Sequence, residues 1–234
     1  MKKISAIIVK ELNSYFKSPM AYIILFITTT VFNVFFFIII DQNREASLRD
    51  MFKLMEFMFV FIVPLLTMKL FAQERQSGTF EFLLTCPVKH SEIILGKYLG
   101  SFIFFFLMTS VSVVYYLIIN FFGQPDFGQA LIGYLGILLE GALFISIGMM
   151  ASSWTKNQII AAITSYLILL LAYFTISFLK YFDPKWSDII RSVSFWSHAE
   201  NFSSGLITVA DVVYYVSGIA FFLTLTRWGI DKSR

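Results

Sequence analysis

Residues 21–40 run for twenty positions without a charged side chain, and no other feature constrains this chain as tightly. An α-helix needs about 20 mostly apolar residues to cross the hydrocarbon of a bilayer. In lipid the backbone groups of such a run must satisfy one another, which a helix does and an open strand does not. Five further runs follow: 54–71, with Pro64 inside it; 99–121; 130–151, interrupted by Glu140; 159–179; and 212–228. They are continuous rather than alternating, so they predict helices and not the strands of a membrane barrel. Composition agrees, with 58% hydrophobic and 14% charged residues, where a soluble domain carries about 25% charged. So few charges could not cover a water-facing surface, which excludes a soluble enzyme and a disordered chain. Cys86 is the only cysteine, so a disulfide scaffold is excluded as well. A net charge of +3 is too small to suggest nucleic-acid binding. The expected fold is one all-α integral membrane domain over residues 1–234, with six transmembrane helices.

The first run is too long for the core of a secretory signal and has no small-x-small cleavage site after it, so it reads as a retained span. Six spans place both termini on one side. Twelve of the 18 Lys and Arg fall on that side, and six, Arg44, Arg49, Lys53, Lys180, Lys185 and Arg191, on the other. The positive-inside bias therefore predicts a cell (inner) membrane protein with cytoplasmic termini. The outer segments count as more acidic than basic, with Asp41, Glu45, Asp50, Glu56, Asp126, Asp183, Asp188, Glu200 and Asp211.

Three segments outside the runs carry patterns of their own. In residues 1–19, Ile4, Ile7, Ile8, Leu12, Tyr15 and Phe16 recur at helical spacing, with Lys3, Lys10, Asn13, Ser14 and Lys17 on the other face. That predicts an amphipathic helix in the cytoplasmic interface, its lysines toward anionic headgroups, broken at Pro19. The alternative is a plain basic flank. Residues 72–97 form a long charged connection. Gly78 suits a tight turn, residues 79–85 make two helical turns with Phe80, Leu83 and Leu84 on one face, and Pro87 stops them. A second helix is expected from Ser91, with Glu92 in its first turn. A short helix with exposed apolar residues and charged flanks is a docking element for a soluble partner; the alternative is a loop folded onto its own membrane surface. Residues 180–211 hold Asp183-Pro184 at a helix start, an apolar stripe from Trp186 to Trp196, capping-box spacing at Ser197 and Glu200, and Gly205 as a closing residue. They predict two short outer helices before the last span.

The order Glu74-Arg75-x-x-Gly78-Thr79-x-Glu81-x-Leu83-Leu84-x-x-Pro87-Val88, then Glu92-Ile93 and Gly96-Lys97, resembles the signature of the ABC type-2 permeases, six-span membrane subunits of ATP-driven transporters. The segment from Lys10-Glu11-Leu12 to Ser18-Pro19, and the tail from His198 through Gly205 to Asp211 and Tyr214-Tyr215, are similar to the gliding-motility subgroup. The resemblance implies that residues 72–97 hold a coupling helix seated in a groove of a cytoplasmic ABC ATPase, with Glu74, Arg75, Gly78, Thr79, Glu81 and Leu84 as its contacts. It implies re-entrant elements within residues 180–211 and a second permease copy, identical or related. ATP and magnesium would be bound by the ATPase, so this chain needs no cofactor of its own. An extracytoplasmic accessory protein is a further candidate partner; nucleic acid is not. The implied function is a permease subunit that couples ATP hydrolysis to export or transmembrane movement. The alternative is a non-transporting scaffold that transmits ATPase motion to an external partner. An intramembrane enzyme is disfavoured, because the spans hold no catalytic constellation.

Glu140 stands near the middle of the fourth run. A charged carboxylate facing lipid there is costly, so it should face protein or a cavity, or be protonated. One reading makes it a translocation or gating group. The other makes it a structural hydrogen bond to Ser, Thr or Tyr on a neighbouring helix, with Gly133, Gly136 and Gly141 permitting close approach. Gly96-Lys97 is not a phosphate loop, since Ser91 and Tyr98 stand where Gly and Ser or Thr are required. Cys86 with His90, and His198 with Glu200, offer two ligands each, too few for a metal site. Tyr22, Trp154 and Trp228 are expected in interfacial belts.

Overall fold

The computed structural model describes residues 2–43, 46–81, 88–178 and 194–231. Its helices are α1 Lys2–Phe16, α2 Pro19–Asn43, α3 Arg49–Thr67, α4 Lys69–Gln76, α5 His90–Ser110, α6 Val113–Phe122, α7 Phe127–Ser153, α8 Gln158–Phe178, α9 Phe195–Ser203 and α10 Val209–Asp231. Among the described residues, six units are long and apolar enough to cross a membrane: α2, α3 with α4, α5 with α6, α7, α8 and α10. These match the six apolar runs, and each begins earlier or ends later than its run because polar residues continue the helix. The largest extension is at the third span, which starts at His90 rather than at residue 99. There Glu92 accepts the Lys89 backbone N–H at 2.9 Å, one half of a capping box.

Two spans are jointed, each for an identifiable reason. Pro64 has no N–H to donate and weakens the ladder of α3 one turn before its end. Thr67 donates its hydroxyl to Val63 O at 2.9 Å, and α3 passes into α4 at Met68, which keeps helical dihedrals (φ −53°, ψ −32°). The free N–H groups that start α4 are then met from another helix. Ser152 Oγ accepts from Phe71 N at 3.1 Å and Ala72 N at 3.0 Å, and donates to Met68 O at 2.8 Å. A buried hydroxyl on α7 thus does what an N-cap residue does. The second joint lies at residues 111–112, where Ser112 donates to Thr109 O at 2.6 Å and Tyr134 donates to Ser112 O at 2.8 Å.

α7 is the axle of the bundle, and α3, α4, α5, α8, α9 and α10 all pack on it. Its 27 residues rise about 40 Å, more than a bilayer core of about 30 Å. Two-thirds of its apolar window is buried (67%), against 17% for α10 and 22% for α2. The outer helices therefore turn large apolar side chains outward, such as Phe26 and Leu171 at 72% and 70% exposure. That is a lipid-facing surface, since so much contiguous apolar area is costly against water and not against acyl chains. α3 and α7 run parallel: Phe52 packs where Gly133 has no side chain, and Thr67 does the same at Gly148.

α9 lies inside the bundle. Phe195 at its start meets Phe144 edge to face at 5.3 Å, Phe202 packs over Gly136, and Gly205 beyond its end sits on Gln129. It therefore begins at mid-depth beside α7 and climbs outward. Gly205 closes it with φ +80°, and Leu206 N donates to Asn201 O at 2.9 Å, the signature bond of a Schellman cap. Ser197 is not the cap its spacing predicted. It lies one turn inside α9 and donates back to Ser194 O at 2.8 Å, because the chain extends to Ser194 before turning helical. The stripe from Trp186, and the start at Asp183-Pro184, fall outside the described residues.

Candidate functional site

Two places concentrate charge inside the protein. The first lies at the end of the bundle that carries α1. α1 packs lengthwise on α5, and two glycines set how closely. A Cβ on Gly96 would lie 2.7 Å from the Ile7 side chain, and one on Gly100 would lie 2.8 Å from Glu11 Cβ. Tyr15 stacks on Phe104 at 4.7 Å and donates its hydroxyl to Leu66 O at 3.0 Å, with Ser101 Oγ at 3.1 Å. Burial, ahead of a smaller effect of Glu11, pushes that phenol well above its ordinary value. The apolar stripe of α1 is thus taken up by protein along the α5 side.

This packing brings four charges together. Lys97 on α5 is 2% exposed. Its Nζ reaches Glu11 Oε1 at 2.8 Å, Glu74 Oε1 at 2.9 Å and Leu70 O at 2.8 Å. Those are three acceptors for the three N–H bonds of an ammonium. Lys10 reaches the same Glu74 oxygen at 2.7 Å from the solvent side. Burial works against the charge of Lys10, but the hydrogen bond and charge of Glu74, helped by Glu11, outweigh it and hold the ammonium above its ordinary value. Lys10 therefore faces a protein carboxylate, not the headgroup expected for it. Two lysines against two glutamates leave the cluster neutral.

The connection after α4 hangs from this cluster. Glu74 is the carboxylate that both lysines hold. Arg75 donates to Gly229 O on α10 at 3.2 Å and lies over the Phe80 ring at 5.0 Å. Gly78 turns the chain with φ +72°, open space where a Cβ would stand. Thr79 shares a hydrogen bond with Ser77 at 2.8 Å and donates to Glu74 O at 3.3 Å. Ser77, Gly78, Thr79 and Glu81 are all exposed. Phe80 is not: it is 5% exposed and meets Phe71 edge to face at 6.0 Å, where an outward apolar face was expected. The helix expected over residues 79–85 is present at 79–81. Leu83, Leu84 and Cys86 lie outside the described residues.

Of the six residues expected to contact an ATPase, the structure thus brings Glu74 and Arg75 into the bundle's own contacts and leaves Gly78, Thr79 and Glu81 on the surface. Sequence reasoning missed Lys10 and Lys97 as partners of Glu74, and Glu11 as the second carboxylate on Lys97. The signal was the small-x-x-x-small spacing of Gly96 and Gly100 beside a lysine, which marks a helix face closed by another helix.

The second place is the interior around Glu140, at the midpoint of α7. It is 1% exposed, and neither carboxyl oxygen has a hydrogen-bond partner among the described residues. The hydrogen bond from Ser, Thr or Tyr expected for it is not made there. Glu56, counted among the outer acids in the sequence although the run 54–71 contains it, lies two turns inside α3 and is 4% exposed. The start of α3 at Arg49 sets it deeper than the edge of that run; the apolar Met51, Phe52, Leu54 and Met55 ahead of it were the available signal. Above both, at the far end, Asp211 accepts from His198 Nδ1 at 2.6 Å, from Asn201 at 3.2 Å and from Thr208 N at 3.2 Å. His198 also stacks on Tyr214 at 4.3 Å. This ties α9 to the start of α10. Among the described residues no three of His, Cys, Asp and Glu converge as a metal site.

A family model described as ABC-2 type transporter matches residues 2–208, from α1 through α9 and ending just before α10. The chain belongs to the ABC-2 type transporter membrane family. Members are the membrane-spanning, non-enzymatic permease component of ABC transporters, and they work with an ATPase carried on a separate subunit. This permease is also similar to the "Uncharacterized membrane protein YdbK" of Bacillus subtilis (strain 168), with 22% identity over 178 residues, covering 69% of this chain and 71% of that protein. The matched region takes in the permease's charge cluster at Lys97 and its buried Glu140 alike.

Proposed function

We propose that this permease moves a substrate across the cytoplasmic membrane when a separate ATPase docks on residues 74–87. The observation that carries the reading is the exposed turn at Ser77, Gly78, Thr79 and Glu81, whose base is clamped to three helices. Glu74 is held by Lys10 of α1 and Lys97 of α5, and Arg75 by Gly229 of α10. A push on the turn is then delivered to α1, α5 and α10 together, because ion pairs and packed helices move as a unit. ATP and magnesium belong to the ATPase partner, and a second permease copy completes the assembly. Leu84 is assigned to the same docking surface from its place in the motif. Within the family we place the chain nearest the gliding-motility permeases, on the α1 sequence and on the tail from His198 to Tyr215.

The test is co-purification of an ABC ATPase with the tagged full chain. Glu81→Lys and Gly78→Pro are expected to lose it while thermal unfolding of the spans is unchanged. Gly78→Pro acts through the backbone, since proline does not adopt the positive φ found there. ATPase retained by both variants, with normal hydrolysis, would sink the proposal. Orientation is tested separately on a Cys86→Ser background. Gln124→Cys should label from outside and Lys156→Cys only after permeabilisation; the reverse pattern would invert the assignment of cytoplasmic termini.

A further inference from the structure

α3 and α7 keep one register along their length, since the same residue offset relates Phe52 to Gly133 and Thr67 to Gly148. By that offset Glu56 lies beside Ile137, three residues before Glu140, which is an axial separation of about 4.5 Å. Both acids are enclosed, at 4% and 1% exposure. Both oxygens of Glu140 are sealed from the surface and unpartnered among the described residues.

The helices packed around the two acids bring the following charged and titratable groups. α3 brings Glu56 and, further out, Lys53, whose ammonium lies 3.3 Å from Asp50 and also within electrostatic reach of Glu56. α5 brings Phe105 against Gly141, and Tyr98, whose hydroxyl is used by Ala142 O at 3.2 Å. α8 brings Tyr173. α9 brings Glu200, within electrostatic reach of Glu56. α10 brings Tyr214 and Tyr215, with Asp211 beyond them already taken by His198 and Asn201. The neighbourhood is therefore two carboxyls, a ring of phenols and apolar side chains, with no cation at its centre among the described residues. Two ionised carboxylates in such surroundings repel one another and lack solvation. The smallest ligand that removes the repulsion, together with the lost solvation of the acid it neutralises, is a proton, and it needs no cavity.

We propose that Glu140 and Glu56 form a proton-binding site at the centre of the membrane, with Glu140 carrying the proton in this conformation and Glu56 exchanging it toward the far end. Neither Glu140 oxygen touches Glu56 in this conformation, so exchange needs a side-chain rotation that brings the two carboxyls within hydrogen-bond reach; the O–H bond of the Glu140 carboxyl then breaks, a new one forms on the Glu56 carboxylate, and the negative charge moves the opposite way. The site does not depend on the ATPase docking at residues 74–87, and its test uses the permease alone.

The experiment is infrared absorption of the full chain in lipid nanodiscs at pH 7. There the exposed carboxylates are ionised, and only a protonated acid shows a carboxyl C=O stretch. The expected result is such a band, shifted by deuterium oxide, corresponding to one group per chain and lost in Glu140→Gln. In Glu56→Gln the band should persist, with a changed pH at which it disappears, because the two carboxyls titrate as a pair. No band in the wild-type protein overturns the proposal without any variant, so a Gln variant that fails to assemble does not protect it. A band that survives Glu140→Gln in folded protein overturns the assignment to Glu140. A titration unmoved by Glu56→Gln removes Glu56 from the site.

Discussion

Lys97 and Glu140 are both enclosed charged-type side chains of the same bundle, at 2% and 1% exposure, and the protein treats them in opposite ways. Lys97 is given two carboxylates and a carbonyl, one for each N–H. Glu140 is given nothing to bond to among the described residues. The first arrangement suits a charge that must stay charged: removing one member leaves another buried and uncompensated, which is far costlier than never burying the pair. The second suits a group whose ionisable proton is the point, since any fixed cation beside it would hold it permanently ionised. Rigid polar links therefore gather at the end of the bundle where α1, α4 and α5 meet, and Glu140, unpartnered among the described residues, is kept at its centre.

The contrast breaks most sharply at Lys97. Lys97→Met should cost about 3–5 kcal/mol, the scale for deleting one member of a buried ion pair. It should also release α1, seen as faster hydrogen exchange of its amides. Adding Glu11→Leu and Glu74→Met should recover much of the loss; if the single variant is as stable as the wild type, the cluster does not hold α1. Gly100→Leu attacks the same contact sterically, because its Cβ would stand 2.8 Å from Glu11 Cβ. Overpacking of this kind costs about 1–3 kcal/mol, and a melting temperature equal to wild type would show that α1 has another way to sit. Tyr15→Phe removes one buried hydroxyl with two partners and should cost about 1 kcal/mol, measured by thermal unfolding in detergent.

Lys10 tests the solvent side of the cluster, where the effect is smaller. Its ammonium is held above the ordinary value once folded, so its contribution is complete below the unfolded lysine value, about pH 10.4, and disappears as pH rises through the higher folded value. Hydrogen exchange of α1, corrected for its intrinsic base catalysis, should show no change in opening between pH 7 and about pH 9. Loosening already in that interval would contradict the pairing. The smallest effect is expected at Glu140→Leu, which loses no hydrogen bond seen among the described residues and fills the same space. Its melting temperature should equal or exceed the wild type, the opposite sign to Lys97→Met. A loss of stability would mean that Glu140 has a partner and that the contrast with Lys97 is false.

Sequence alone determined the class of fold, because hydrocarbon imposes its demand on each span separately. Residues 21–40 or 159–179 need no neighbour to declare themselves helical and lipid-facing, and Pro64 or Gly205 act through their own backbone geometry. The turn at Gly78, and the presence of an acid at the middle of α7, were legible for the same local reason. What only the tertiary structure decided is which charges meet. Glu74 is a loop acid until α1 folds back along α5, delivering Lys10 to Glu74 from 64 residues away and Glu11 to Lys97 from 86 residues away. Glu56 counts as an outer acid, at the edge of its run, until α3 starts at Arg49 and its register on α7 sets it within one turn of Glu140. Ser152 is an ordinary serine in a run until it caps a helix 80 residues behind it. Helix formation depends on neighbours three and four residues away, and the pairing of buried charges on neighbours that only the packing of whole helices brings together.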